Sequence, residues 1–165
     1  MMNMKRLVFI RHGKSSWEHN VEDEKRPLKK RAYKDAKSVI LTFKATFQKP
    51  AILWSSPAVR ANETAKIFKD ALEIDNKDFY VKTALYTFNW QDLYKIIKTC
   101  DDEVDQLLVF GHNPAFTSLV NQLGDKEFSN VPTTGLVVID FETNSWKDLK
   151  DGKTILNLFP KNLRQ

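Results

Sequence analysis

The stretch LVFIRHG, residues 7–13, decides how the fold is interpreted. Its four consecutive apolar residues predict a strand that is covered on both faces. The strand runs directly into an arginine, a histidine and a glycine. In open α/β sheets, ligands collect at the carboxyl ends of the strands. The stretch therefore predicts a buried strand that delivers polar groups to a binding site.

Two further apolar runs end in the same way. Residues 51–54 are followed by SSPAVR at 55–60, and residues 107–110 are followed by GHNP at 111–114. The carboxyl ends of neighbouring parallel strands meet at one edge of a sheet. If the three strands are parallel neighbours, we expect their polar groups to converge on one pocket.

The rest of the chain alternates between strand-like and helix-like segments. Such alternation predicts an α/β fold, namely a three-layer α/β/α sandwich around a mostly parallel central sheet. We expect one domain over residues 1–165. The further strand-like segments are 79–81, 136–141 and 154–159, and the helical periods are 33–47, 61–72 and 116–123.

Composition excludes several classes of protein. The 165 residues are 42% hydrophobic and 28% charged, which is typical of a globular domain. The apolar runs are far shorter than the roughly 20 residues of a membrane span, and no signal peptide is expected because the first apolar run ends at Arg11. The net charge of +5 suits an anionic substrate. We expect a cytoplasmic protein that binds neither nucleic acid nor membranes.

The charged segment Glu18–Arg31 is predicted to be a surface loop. His19 within it is expected to be exposed, and Trp17 is expected to pack beneath the loop. Cys100 is the single cysteine, so an internal disulfide is excluded. A thiol nucleophile is not expected because no base lies near Cys100 in the sequence.

The three polar groups suit a phosphoryl dianion. Ser56 before Pro57, and Asn113 before Pro114, predict two helix starts whose free N–H groups attract anions. Arginine binds phosphate oxygens in a bidentate way, so Arg11 and Arg60 are predicted to clamp one phosphoryl group. The further substrate contacts that we predict are Gly13, Lys14, Ser15 and Asn113.

Two of the three histidines, His12 and His112, stand at these strand ends, each beside a glycine. A neutral imidazole can attack phosphorus, and a protonated one can stabilise charge on the group in transfer. With an ordinary pKa of about 6.5, histidine can take either role near neutral pH. We therefore predict His12 and His112 as catalytic residues.

The ordered combination of motifs resembles the histidine phosphatase superfamily, which includes phosphoglycerate mutases and acid phosphatases. RHG at 11–13, SSPAVRANETA at 55–65 and GHN at 111–113 carry the resemblance, which extends over residues 7–141. It implies the phosphoglycerate mutase-like fold. It also implies that His12 accepts the phosphoryl group, that Arg11 and Arg60 hold it, and that His112 is the second catalytic histidine.

Within the superfamily, the chain is most similar to the SixA-type phosphohistidine phosphatases. KSSW at 14–17 and RPL at 26–28 resemble the corresponding segments of that subfamily. Ala32 departs from the pattern, which usually has glycine there, and Glu18 replaces an asparagine of the mutases. The resemblance implies phosphoryl hydrolysis without a metal or cofactor. The implied substrate is a phosphorylated protein, such as a histidine phosphotransfer domain in a signalling relay.

One expected acid is missing from the sequence. Phosphomonoesterases of the superfamily carry a carboxylate just after the third strand, but residues 81–91 contain none. An alkoxide leaving group needs a proton, and a positioned acid is worth roughly 10²–10⁴-fold in rate. An imidazole leaving group can carry its own proton, so the gap favours P–N over P–O cleavage. Asp92 and Tyr86 stay open as alternative acids.

Two alternative functions stay open at this point. The first is a phosphomonoesterase that acts on a small metabolite, such as a sugar phosphate or a nucleotide. The second is a binding module that senses a phosphorylated partner without turnover. The presence of both His12 and His112 favours catalysis over simple binding.

Overall fold

A computed structural model describes residues 3–163 of the chain. The strands are β1 (Met4–Arg11), β2 (Ile52–Ser55), β3 (Phe79–Val81), β4 (Gln106–Gly111), β5 (Leu136–Glu142) and β6 (Lys153–Leu158). The α-helices are α1 (Lys30–Phe43), α2 (Val59–Ala71), α3 (Trp90–Ile97), α4 (Ala115–Leu123) and α5 (Pro160–Leu163). Within the described residues, no helix is long and apolar enough to cross a membrane.

The six strands form one sheet in the order β3-β2-β4-β1-β5-β6. β1 pairs in parallel with β4, and β2 pairs in parallel with both β4 and β3, whereas β5 runs antiparallel to its two neighbours. Arg11 stands opposite Gly111 in the sheet, and Ser55 stands opposite Phe110. The mostly parallel sheet is therefore confirmed, and β2, β4 and β1 end side by side.

Alternation along the strands produces the three layers. Side chains of successive strand residues point to opposite faces. Leu7 and Phe9 pack on one face with α3 and α4, and Val8 and Ile10 pack on the other with α1 and α2. All four are fully buried, and each such burial stabilises the fold by roughly 1.5–3 kcal/mol. The continuous apolar run in β1 thus reflects burial on both faces.

Two helices begin later than predicted. α2 begins at Val59, two residues after Pro57, because the Ser56 hydroxyl accepts the N–H of Ala58 at 3.2 Å and closes a turn before the helix. α4 begins at Ala115, one residue after the predicted start. The Asn113 side chain still accepts an N–H of the first turn, from Thr117 at 3.1 Å.

The segment after β1 folds back over the end of the sheet. The N–H of Ser16 donates to the Pro27 carbonyl, and the N–H of Lys29 donates to the Lys14 carbonyl, both at 2.8 Å. A Cβ atom at Gly13 would lie only 2.8 Å from the Cβ of Ala32 in α1. A glycine at 13 and a small residue at 32 therefore let this loop, residues 14–29, pack against α1.

Candidate active site

A cavity of about 280 Å³ lies at the carboxyl ends of β1, β2 and β4. Seven of the eight predicted site residues line it, all except Gly13. A larger groove of about 800 Å³ lies beside β5 and β6, but none of the three histidines lines it. The smaller cavity is therefore the candidate active site. The residues that the sequence did not predict at its wall are Trp17, Asp23, Arg26, Phe88 and Thr133.

His12 is held in one tautomer at the end of β1. Its Nδ1 lies 2.7 Å from the carbonyl oxygen of Gly13. A carbonyl can only accept, so Nδ1 carries the proton and Nε2 keeps a free lone pair. Burial lowers the pKa of His12 to about 3, and the nearby positive charges of Arg60 and Arg11 act in the same direction. His12 is thus neutral at pH 7, which is the form that a nucleophile needs.

In His112 the protein contacts the other ring nitrogen. The Nε2 of His112 lies 2.8 Å from the Ser56 hydroxyl, which already accepts the N–H of Ala58. Among the described residues the proton of this hydroxyl has no other acceptor, so it is donated to Nε2, and the ring proton lies on Nδ1. Burial lowers the pKa of His112 to about 3, with smaller contributions from His12 and Arg60. The two rings are 5.3 Å apart, so a lone pair and an N–H donor share one cavity.

Arg11 and Arg60 leave donors unused in this cavity. Arg11 Nη1 donates to the Val131 carbonyl at 3.0 Å. Among the described residues, the buried Nε atoms of Arg11 and Arg60 and the buried Nδ1 of His112 have no hydrogen-bond partner. Burial, together with Arg60, lowers the pKa of Arg11. Buried polar groups are usually satisfied, so three orphaned donors at one cavity point to an anionic ligand.

Three of the other four predicted contacts line the cavity, and Gly13 does not. Lys14 and Ser15 line the cavity, with Lys14 on its exposed rim. Asn113 also lines it, but its side-chain amide donates to Asn130 and to a backbone carbonyl, both at 3.0 Å. The Gly13 N–H donates to the Thr64 hydroxyl at 2.9 Å, so it is not free for a substrate.

Sequence reasoning missed Asp23, a carboxylate that enters the site from the loop. Its Oδ2 accepts from Arg60 Nη2 at 2.9 Å and from the Tyr86 hydroxyl at 2.6 Å. Its Oδ1 accepts from Arg26 Nη1 at 3.0 Å, and its backbone carbonyl accepts from Arg60 Nη1 at 2.7 Å. The only local signal was the spacing of Asp23 and Arg26, three residues apart in one helical turn.

Asp23 is ionised at neutral pH. Burial acts to raise its pKa, but hydrogen bonds from Tyr86, Arg60 and Arg26 outweigh this and lower the pKa to about 2. Burial and the Asp23 carboxylate raise the pKa of Tyr86. Asp92 is exposed in the first turn of α3 and does not line the cavity. Tyr86 does not line the cavity, and its hydroxyl proton is donated to Asp23. None of Asp23, Asp92 and Tyr86 is therefore arranged to give a proton to a leaving group.

The prediction for Trp17 is wrong. This side chain is 75% exposed, and the guanidinium carbon of Arg26 lies 3.2 Å from its ring centroid. Stacking on a cation lets the indole stay on the outer side of the loop. Phe88 stands at the same cavity and is 48% exposed. Two aromatic rings thus flank the entrance to the candidate active site.

Other chemical groups are poorly placed for catalysis. Cys100 lies in the core, and burial, followed by the charge of Asp101, raises the pKa of its thiol to about 12. In the part of the chain that the structure describes, no group of three or more His, Cys, Asp or Glu side chains is placed to hold a metal ion. The charged and titratable side chains at the cavity are those of its histidines, its arginines, Lys14 and Asp23.

Comparison with known proteins matches the chain to a protein family and to a plant protein. The model of the histidine phosphatase superfamily (branch 1) matches residues 7–93. An uncharacterized chloroplastic protein of Arabidopsis thaliana is 26% identical over 153 residues, which cover 87% of this chain and 70% of the relative.

Two solved structures share the fold. The protein histidine phosphatase SixA complexed with tungstate superposes with a TM-score of 0.79 at 19% identity, over 96% of this chain and 99% of that one. A SixA structure from Nakamurella multipartitia superposes with a TM-score of 0.77 at 18% identity, over 96% and 97% of the two chains. At these identities the two structures inform on the fold alone.

Proposed function

The chain belongs to the histidine phosphatase superfamily, and on that basis we propose that it hydrolyses the P–N bond of phosphohistidine carried by a protein. The reaction passes through a phosphohistidine at His12 and needs no metal. Phosphatase activity is what the family and the fold support; the protein substrate is our proposal. In this proposal the phosphohistidine belongs to a histidine phosphotransfer domain of a signalling relay.

The observation that carries this proposal is the state of the one carboxylate at the cavity. Among the described residues, Asp23 is the only acidic side chain that lines it. With a pKa of about 2, Asp23 has no proton to give at neutral pH. An alkoxide leaving group would depart without a positioned acid, which costs roughly 10²–10⁴-fold in rate. A leaving imidazole does not need that acid, so the site suits a phosphoramidate.

The first chemical step transfers the phosphoryl group to His12. The neutral Nε2 attacks phosphorus in line, and an N–P bond forms as the P–N bond to the substrate imidazole breaks. The substrate ring, protonated on its second nitrogen, departs as neutral imidazole. The free donors of Arg11, Arg60 and His112 bind the phosphoryl oxygens and stabilise the charge in the transition state. Tungstate, bound by a protein of the same fold, is an oxyanion of comparable shape and charge.

The second step releases phosphate. Water attacks the phosphorus of phospho-His12, the bond to Nε2 breaks, and the proton of the water passes to the departing phosphate or to solvent. His12 returns to its neutral form, which burial favours. The leaving group of this step is again an imidazole, so both steps share one electrostatic environment.

The test compares a phosphohistidine-bearing phosphotransfer protein with p-nitrophenyl phosphate and phosphoserine. All assays contain a chelator, so a metal requirement would appear as a loss of activity. We expect the phosphohistidine substrate to be preferred over phosphoserine by at least about tenfold in kcat/KM, since imidazole leaves without a positioned acid and an alkoxide does not. Equal or faster turnover of alkyl monoesters would contradict the proposal and favour a small-molecule phosphomonoesterase. Tight phosphate binding without any turnover would favour a sensing module.

A further inference from the structure

Asp23 connects three separate parts of the site. It lies in a short helical turn of the loop, Asp23–Lys25. Its carboxylate and carbonyl together contact Arg60 of α2, Arg26 of the loop and Tyr86 after β3. Residues 23 and 86 are 63 positions apart. One residue therefore links the loop to α2 and to the segment after β3.

Asp23 and a phosphoryl group would use different edges of Arg60. Asp23 accepts from Nη1 and Nη2 at 2.7 and 2.9 Å, which is the end of the guanidinium. The Nε atom of Arg60 is buried and has no partner among the described residues. Guanidinium carries five N–H donors in a fixed fork. Among the described residues, Nε and the second N–H of Nη2 therefore have no partner while Asp23 is bound, and these are the donors left for a ligand.

The charges of the cavity agree with simultaneous binding. Arg11, Arg26 and Arg60 bring three positive charges, and Asp23 brings one negative charge. These four side chains carry a net charge of +2, which balances a phosphoryl dianion. Lys14, on the exposed rim, is not included in this sum. If the anion displaced Asp23, the carboxylate would lose contacts to two arginines and a tyrosine. The geometry does not require that displacement.

We propose that Asp23 is a positioning residue that fixes Arg60 and Arg26 around the phosphoryl group during transfer. This inference rests on the proposed phosphatase function, because the group that these arginines hold is the one in transfer. Asp23 itself does not contact the reacting atoms. It acts through the arginines. Without it, Arg60 loses the acceptors at the end of its guanidinium, whereas Arg26 loses its ionic partner but keeps its contacts with Ser15, Ser16 and Trp17.

The deciding variant is Asp23→Asn, which keeps the size of the side chain and removes its charge. Glu24→Gln is the matched control, because Glu24 is an exposed acid in the same turn and takes no part in the four contacts. For Asp23→Asn we expect kcat to fall about ten- to hundredfold, the range of a charge-assisted hydrogen bond, while KM changes less than about threefold. Glu24→Gln should match the wild type.

Two kinetic outcomes would overturn the proposal. A lower KM with unchanged kcat would mean that Asp23 competes with the substrate for Arg60. Unchanged kcat and KM, with only a lower melting temperature, would mean that Asp23 supports the fold alone. Tyr86→Phe removes one of the contacts to Asp23 and should lower kcat by a smaller factor than Asp23→Asn.

A measurement without turnover separates this inference from the proposed function. The Nε–H resonance of Arg60 is followed by NMR as inorganic phosphate is added. In the wild type and in Glu24→Gln we expect one sharp, shifted signal at saturation, and in Asp23→Asn a broadened signal. Identical signals in all three proteins would overturn the positioning role. A wild type that is inactive on every substrate would contradict the proposed function and leave this readout intact.

Discussion

The candidate active site has two halves with different physical origins. One half stands on the sheet and on the helix that follows β2: His12, His112 and Arg60 are 8%, 1% and 3% exposed, respectively. The other half comes from the loop: Asp23 and Trp17 are exposed, whereas Ser15 and Arg26 are buried. The sheet half holds the groups that we propose to react, and the loop half contributes the one carboxylate of the cavity lining and the aromatic ring of Trp17. Changes in the two halves should therefore have different effects.

The largest effect is expected at the nucleophile. His12→Ala removes the proposed nucleophile, so turnover of phosphohistidine should fall by at least about 10⁴-fold. His19→Ala is the control, since this histidine is exposed in the loop and should leave the rate unchanged. The measurement is phosphate release in single-turnover and steady-state assays. A His12→Ala variant that keeps more than a tenth of the activity would place the nucleophile elsewhere.

Arg60 joins the two halves and should rank second. Arg60→Lys keeps the charge but removes the planar fork, so it cannot serve Asp23 and a phosphoryl oxygen together. We expect kcat/KM to fall about 10²–10³-fold, comparable to the loss of one oxyanion donor. Arg31→Lys is the control because Arg31 is exposed in the first turn of α1. A similar loss in both variants would show that general charge, and not geometry, is responsible.

The buried histidines should make the fold sensitive to acid. The pKa values of His12 and His112 are about 3, below the usual value of about 6.5 in an unfolded chain. Below pH 6.5 the unfolded state binds more protons, so the free energy of unfolding falls as pH drops toward 3. Each histidine contributes at most about 1.4 kcal/mol per pH unit.

Urea denaturation at pH 7, 6 and 5, without phosphate, measures this dependence. The control is the double variant His12→Ala, His112→Ala, which should lose most of the slope between pH 6.5 and 5. Asp23 does not contribute in this interval, since its own pKa of about 2 and the ordinary value of 3.8 both lie below it. Equal stability of the wild type at pH 7 and 5 would be incompatible with neutral, buried histidines.

The smallest effect is expected at the entrance. Trp17→Ala removes the stacking partner of Arg26, which is worth about 0.5–1 kcal/mol at an exposed site. We expect kcat/KM to fall about two- to fivefold and the melting temperature to stay within error. Leu41→Ala is the control, since Leu41 is 74% exposed on α1. A hundredfold loss for Trp17→Ala would mean that the indole itself binds the substrate.

The sheet half could be predicted from the sequence because its signals are local. A continuous apolar run predicts a strand, and the residues after it must lie at the end of that strand. Register then brings Arg11 opposite Gly111, one residue from His112. The starts of α2 and α4 were wrong by one or two residues because side chains close turns ahead of these helices.

The loop half could not be predicted in the same way. Asp23 contacts Arg60 and Tyr86, which are 37 and 63 residues away in the sequence. An irregular loop has no periodicity from which such contacts could be predicted. No carboxylate follows β3 in the sequence, and the carboxylate that lines the cavity belongs to the loop. Trp17 was predicted to be buried because indole side chains usually are. The arginine that stacks on the exposed ring is nine residues away in the sequence.

The stacking of Trp17 on Arg26 also allows the loop to be followed by tryptophan fluorescence. The chain has four tryptophans, and Trp17 is the strongly exposed one, whereas Trp54 is 6% exposed and Trp146 is fully buried. Any ligand that draws Arg26 toward the cavity changes the contact at this indole and therefore its fluorescence. The molecule thus carries an intrinsic optical signal at the half of its site that sequence patterns describe least.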